Sequence, residues 1–186
     1  MLDFAQARRA MVDSQLRTFD VFDIPVLAAM EAVPRERFVP PGREDLAYID
    51  QDVPVSDGIA AAERRFMLKP MVLGRMIQAL AVEPGEKALD VASGLGYGAA
   101  VLARLGARVV ALESTNAAAQ AARERLASLG IENVAAISGP LDKGHPAGGP
   151  YDVILVNGLV EVRPQGLLNQ LTDRGRGLPP PPRAPR

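Results

Sequence analysis

Two acidic side chains and a run of glycines carry the chemistry open to this chain. In LDVASGLGYGAAVLARL, Leu89 to Leu105, an apolar run ends at Asp90, breaks into Ala92, Ser93, Gly94 and Gly96, and restarts as an alanine-rich helix. A helix that starts directly after a strand presents unpaired N–H groups and the positive end of its dipole, and glycines let a ligand approach the main chain closely. GLGYGA, Gly94 to Ala99, formally satisfies the dinucleotide fingerprint with alanine in its last place, and Glu113 stands 19 residues past Gly94, where a ribose-binding acid is expected. A plain tight turn between strand and helix satisfies the same pattern.

Asp90 shifts the balance. A carboxylate that ends the first strand repels a pyrophosphate and attracts a sulfonium carrying its own ammonium group, so the sign of the site favours S-adenosyl-L-methionine. On this reading Gly94 and Gly96 let the chain pass beneath the donor, and Glu113, at the end of the next strand, accepts hydrogen bonds from both ribose hydroxyls. The expected donor site is Asp90, Ala92, Ser93, Gly94, Gly96 and Glu113. No catalytic side chain can be named. Asn157, at the end of VILVN, stands where an acceptor should approach, and a strand-end asparagine making a local turn accounts for it equally well.

Composition excludes several other chemistries. With 186 residues, 48% of them apolar, the chain has material for one domain with a real core. A formal charge of −1 gives no general drive toward nucleic acid or anionic membrane. Cysteine is absent, which removes disulfides and thiolate metal sites; with no signal-peptide pattern and no membrane-length apolar run, the expected location is the cytoplasm. The one histidine, His145 in GHPAGGP, supports neither a metal centre nor a Ser/His/Asp triad and reads as decoration on a turn.

The elements that must position the site follow from periodicity. Residues 3–40 read as two helical pieces, the second opening at FDIP, where Asp23 can cap and Pro25 fits the first turn. AYIDQDVPVSDG reads as extended or looping chain. A third helix begins near Pro70, with Leu73, Ile77 and Leu80 on one face and Met67, Met71 and Met76 as core filling. Strands are then expected at Ala88 to Val91, Arg108 to Leu112, NVAAIS and YDVILVN. Helices are expected from about Gly98, from about Asn116, and over PQGLLNQL. This alternation means an α/β fold: a Rossmann-like, doubly wound, mostly parallel sheet with N-terminal helices and ligands at the carboxyl ends of its strands. We divide the chain into an entry region of the same domain at 1–82, a donor-binding core at 83–173 and a tail at 174–186. The tail, RGRGLPPPPRAPR, carries +4, leaving −5 on the residues before it, and is expected to be disordered or polyproline-like.

MVDSQLR, VLAAMEAVPRERFVPP, LAYIDQDVPV, the glycine turn, VVALES and PYDVILVNGLVEVRPQGLLNQL together resemble, in order, the protein-L-isoaspartate O-methyltransferases, a Rossmann-like family dependent on S-adenosyl-L-methionine. The similarity spans roughly Phe4 to Leu171. It implies methyl transfer to the α-carboxylate of isoaspartyl residues in damaged proteins, the first step of their repair, with such proteins and peptides as partners and neither nucleic acid nor membrane. A carboxylate acceptor with a pKa near ~4 is already ionised at neutral pH, so no general base is required. The chain departs from the family at four places. Ala92 stands where the family has glycine. Phe66 and Leu68, in FMLKP, stand where it has substrate-binding hydroxyls. Pro140 replaces an acid that meets the adenine. After Leu171 the expected further strands are missing, and the tail reads as the product of a shifted frame or damaged gene end near Arg174. Two other readings stand beside this one: a non-catalytic relative that has lost the isoaspartyl site, and a nicotinamide-dependent oxidoreductase, which Asp90 disfavours.

Overall fold

The computed structural model describes residues 2–55, 65–158 and 160–178. Capping side chains set the N-terminal helices. Asp3 accepts from the N–H groups of Ala5 and Gln6 to start α1 (Phe4–Met11), which continues through a π-helical turn (Val12–Leu16) and a 3-10 turn (Arg17–Phe19). Asp23 caps α2 (Ile24–Ala32) by accepting from Val26 N–H at 2.9 Å, with Pro25 in the first turn. A 3-10 turn at Arg35–Phe38 follows. Two-residue strands β1 (Val53–Pro54) and β2 (Phe66–Met67) pair antiparallel, and α3 (Pro70–Leu80) follows from Pro70 as the sequence predicts.

The remainder is the expected alternation: β3 (Lys87–Val91), α4 (Tyr97–Arg104), β4 (Arg108–Glu113), α5 (Asn116–Ser128), β5 (Val134–Ser138), β6 (Tyr151–Val156), α6 (Gln165–Leu168) and β7 (Leu171–Leu178). The five long strands form one parallel sheet in the order β5-β4-β3-β6-β7. The order reverses between β3 and β6, so the crevice of this α/β sheet opens at Val91 and Val156, which pair across those strands.

Strand periodicity assigns each face its core. Ala88, Val109, Ala111, Val153 and Leu155 pack in one cluster with Met11, Leu16, Met30, Leu73, Ile77, Leu102 and Leu126, so the N-terminal helices and α3, α4 and α5 share a core with the sheet. Leu89, Val91, Leu112, Ile154 and Val156 pack in a second cluster with Tyr151, which opens β6, and Leu167 of the short α6. Asp90 alternates with Leu89 and Val91 and therefore points into the first, helix-covered face.

One expectation needs correction. The chain was expected to leave the fold at Arg174, with disorder from there on; instead β7 runs from Leu171 to Leu178 alongside β6. Val153, Ile154 and Leu155 pair with Arg176, Gly177 and Leu178, and the Arg176 guanidinium is anchored by both oxygens of Glu86 at 2.6 Å. An edge strand tolerates charged and glycine residues that a central one would not. The helix expected over PQGLLNQL is likewise only the four residues of α6, because β7 begins at Leu171. The rest of the expected tail, 179–186, and Ser56, Asp57 and Gly58 of VPVSDG lie outside the described residues.

Candidate functional site

The glycine turn sits at the switch point between β3 and α4. Three of its residues adopt left-handed backbone, Ala92 (φ +57°), Gly94 (φ +61°) and Gly96 (φ +96°). Glycine adopts this conformation without strain; alanine pays roughly 1–2 kcal/mol for it. The turn is tied to β4 by Ala92 N–H donating to Leu112 O at 2.9 Å and by Gly94 N–H donating to Glu113 Oε1 at 2.6 Å. Glu113 Oε2 accepts from Ser114 N–H at 3.1 Å, with Arg65 Nε 3.6 Å away. Both acids are fully buried, Asp90 at 0% and Glu113 at 0% exposure.

Asp90 is held from the neighbouring strand end. Asn157 Nδ2 donates to Asp90 Oδ1, which places the asparagine in a bond to the site acid and not merely in a local turn. Burial pushes the Asp90 carboxyl up to about 7; the Asn157 bond and the Ala99 N–H oppose this, and Glu113 adds to it. Gly98 matters here although its sequence position gave no sign of it. A Cβ there would lie 3.2 Å from Asp90 Oδ2 and 3.5 Å from Asn157 Oδ1.

A narrow cleft opens above the turn. Ser93, Gly94 and Asn157 form its polar side, while Phe38, Val55, Phe66, Met67, Leu68 and Leu73 form its apolar wall. Of the expected donor residues, Ser93 and Gly94 therefore line the cleft, and Asp90, Ala92, Gly96 and Glu113 are buried and do not line it. Phe66 and Leu68, marked in the sequence as departures, are on this wall. Pro140 is exposed beyond the end of β5, and His145 opens a 3-10 turn at Pro146–Gly148, where its N–H donates to Gln170 and its carbonyl accepts from the Tyr151 hydroxyl.

Arg65 is a residue that the sequence reading missed. Its guanidinium, 15% exposed, stands beside Glu113 and donates from Nη2 to Ser114 Oγ at 3.3 Å. Nothing in ERRF distinguishes it from the other arginines of a charged run. Two buried polar atoms at the turn, Asp90 Oδ2 and Ser93 Oγ, have no hydrogen-bond partner among the described residues. Such atoms are rare in a folded interior and fit a site built to receive a polar ligand. Around the main-chain bend the side chains are acidic and hydroxylic, Asp90, Glu113 and Ser93. Among the described residues no cluster of three or more metal-ligating side chains occurs, and no helix is long and apolar enough to cross a membrane.

Comparison with known proteins identifies the family. A family model described as protein-L-isoaspartate(D-aspartate) O-methyltransferase matches residues 7–181. The chain is 42% identical over 174 residues to a protein-L-isoaspartate O-methyltransferase of Methylorubrum extorquens (strain PA1), covering 94% of this chain and 73% of that protein. It is 40% identical to a protein of the same name from Methanoregula boonei, covering 93% and 77% respectively. A solved protein-L-isoaspartate O-methyltransferase superposes with a TM-score of 0.80 at 27% identity, over 91% of this chain and 54% of that one, so the present chain spans about half of its length. A candidate protein-L-isoaspartate O-methyltransferase from Plasmodium falciparum, solved in complex with S-adenosyl-L-homocysteine, shares the fold at a TM-score of 0.74 and 21% identity, over 91% and 82%. With the glycine turn, the buried acid pair and these matches together, the chain belongs to the protein-L-isoaspartate(D-aspartate) O-methyltransferase family.

Proposed function

We propose that the chain transfers a methyl group from S-adenosyl-L-methionine to the α-carboxylate of L-isoaspartyl residues in damaged proteins and peptides, acting in the cytoplasm. The observation that carries this reading is the pair of buried acids, Asp90 and Glu113, beneath a turn whose Gly94 N–H is held by one of them. When bound, the donor supplies an electrophilic methyl on a positively charged sulfur; the carboxylate oxygen forms the new O–C bond as the C–S bond breaks, leaving a methyl ester and a neutral thioether.

The residues of the chain bind, orient and desolvate. Asp90 gives the site its negative charge, and Asn157 holds that carboxylate in place. Ser93 and Gly94 line the cleft. Glu113 uses one acceptor direction on each oxygen for main-chain N–H groups, and a carboxylate has about four, which leaves capacity for ribose hydroxyls. The apolar wall of Phe38, Phe66, Met67 and Leu68 strips water from the acceptor carboxylate, whose nucleophilicity rises as its hydration is lost. No base is needed, consistent with a chain whose one histidine serves a surface turn.

The same wall favours a second reading, a relative that binds the donor without methylating isoaspartate, because Phe66 and Leu68 offer the substrate carboxylate no hydroxyl. Calorimetry tests the donor that both readings share: each requires tighter binding of S-adenosyl-L-methionine than of NAD, and the reverse order would refute both. Methyl transfer to an isoaspartyl peptide then divides enzyme from binder.

A further inference from the structure

The RERF turn, Arg35–Phe38, lends Phe38 to the cleft wall, and its first residue is among the largest fully buried side chains in the molecule. Arg35 Nε donates to Ala47 O at 2.6 Å, and Nη2 donates to Leu68 O at 2.7 Å. Its guanidinium carbon lies 4.8 Å from the centroid of the Tyr97 ring. In a 3-10 helix residues i and i+3 eclipse, so Phe38 rises on the same face and meets Tyr97 edge-on, with centroids 5.6 Å apart and planes at 60°.

These contacts join two segments that line the cleft. Tyr97 is the first residue after Gly96 and opens α4, so it moves with the glycine turn. Leu68 and Tyr97 both line the cleft, Leu68 on the apolar wall to which the proposed function assigns the acceptor. A planar guanidinium is the side chain that can bond two carbonyls on different segments while stacking on an aromatic face. Stability alone does not call for it, since burying a charge is costly and an apolar side chain of similar volume is often as stable or more so.

We propose that Arg35 is a positioning residue for methyl transfer, fixing the acceptor wall at Leu68 against the donor turn at Tyr97 so that donor and acceptor meet at reacting distance. This rests on the proposed function above. Reacting atoms must lie about 3–3.5 Å apart and aligned, and a misplacement of about 1 Å can cost on the order of 10²-fold in rate.

Arg35→Lys keeps the charge and loses the fork; Arg35→Met keeps the volume and loses both. In each folded full-length variant we expect kcat on an isoaspartyl peptide to fall about 30-fold or more at saturating donor and peptide, with the donor Kd changed by less than about threefold. A purely structural arginine would lower thermal stability and leave kcat per folded molecule within about threefold, which overturns the proposal. Hydrogen exchange gives a readout independent of activity. Amides of 66–69 and 97–100 should exchange faster together in Arg35→Lys while those of β5 do not change; acceleration of one segment alone overturns the coupling. If the wild type methylates no isoaspartyl peptide, the proposed reaction fails, and with it the role in methyl transfer, while the exchange result still decides whether Arg35 couples the two segments. Should both variants unfold, Tyr97→Leu removes the stacking surface and spares the two carbonyl bonds; because Tyr97 itself lines the cleft, the deciding readout is exchange, with amides of 66–69 expected to accelerate, and unchanged exchange there rejects the role.

Discussion

Gly94 and Glu113, 19 residues apart, are joined by a 2.6 Å hydrogen bond from the glycine N–H to Glu113 Oε1. The bond fixes the glycine turn against the end of β4, and Oε2 of the same carboxylate accepts from Ser114 N–H. Glu113 thus braces the turn in addition to any role toward ribose.

Glu113→Ala should therefore affect both properties. It leaves the Gly94 N–H without its acceptor, which costs about 1–3 kcal/mol in thermal or urea denaturation, and it weakens the donor at least about tenfold in calorimetry. Glu113→Gln keeps one acceptor oxygen and should recover part of the stability while leaving the donor weak. Donor affinity unchanged in both variants would remove Glu113 from the site.

Asp90 sets a dependence on pH. Its carboxyl is raised to about 7 by burial, so the folded chain binds this proton more tightly than the unfolded chain, where the pKa is about 4. The stability this contributes is fully present below about pH 4 and is lost as pH rises to and through about 7. Asp90→Asn should flatten that part of the stability profile relative to the wild type. A cationic donor favours the ionised form, so its binding at pH 7 should release protons, seen as a heat that varies with the ionisation enthalpy of the buffer. The variant should lose this release; equal release from variant and wild type would contradict the placement of Asp90 beside the donor.

Ala92→Gly relieves a left-handed alanine. The gain from removing roughly 1–2 kcal/mol of strain is partly offset by the added freedom of glycine in the unfolded chain, so a net stabilisation of about 0.5–1 kcal/mol is expected. Removing the methyl should also tighten donor binding. A fall in both melting temperature and affinity would show that the turn is built around the alanine.

Leu68→Ser places a hydroxyl on the cleft wall. A hydrogen bond to a charged carboxylate contributes about 1.5–3 kcal/mol, so KM for an isoaspartyl peptide should fall about tenfold or more. An unchanged KM would place the acceptor elsewhere in the cleft.

Much of the scaffold was legible because its signals are local. Asp23 before Pro25, the apolar runs ending at Val91 and Val156, and the spacing of Leu73, Ile77 and Leu80 each follow from capping, burial or periodicity within a few residues. Strand β7 was not legible, since its glycines and arginines mark a tail by composition; pairing with β6 and the Glu86–Arg176 contact, 90 residues apart, make it a strand. At the site, residue identity pointed to Asp90 and Glu113 but not to their tertiary partners. Asn157, Arg65 and the buried Arg35 act through contacts between segments distant in sequence, and a charged residue in a proline-bracketed turn carries no periodic sign of burial.

The most direct measurement is transfer of a labelled methyl group from S-adenosyl-L-methionine to a peptide carrying one L-isoaspartyl residue, with the matched L-aspartyl peptide as control. The account predicts a base-labile methyl ester on the isoaspartyl peptide alone. Label on neither peptide, or equal label on both, would contradict it.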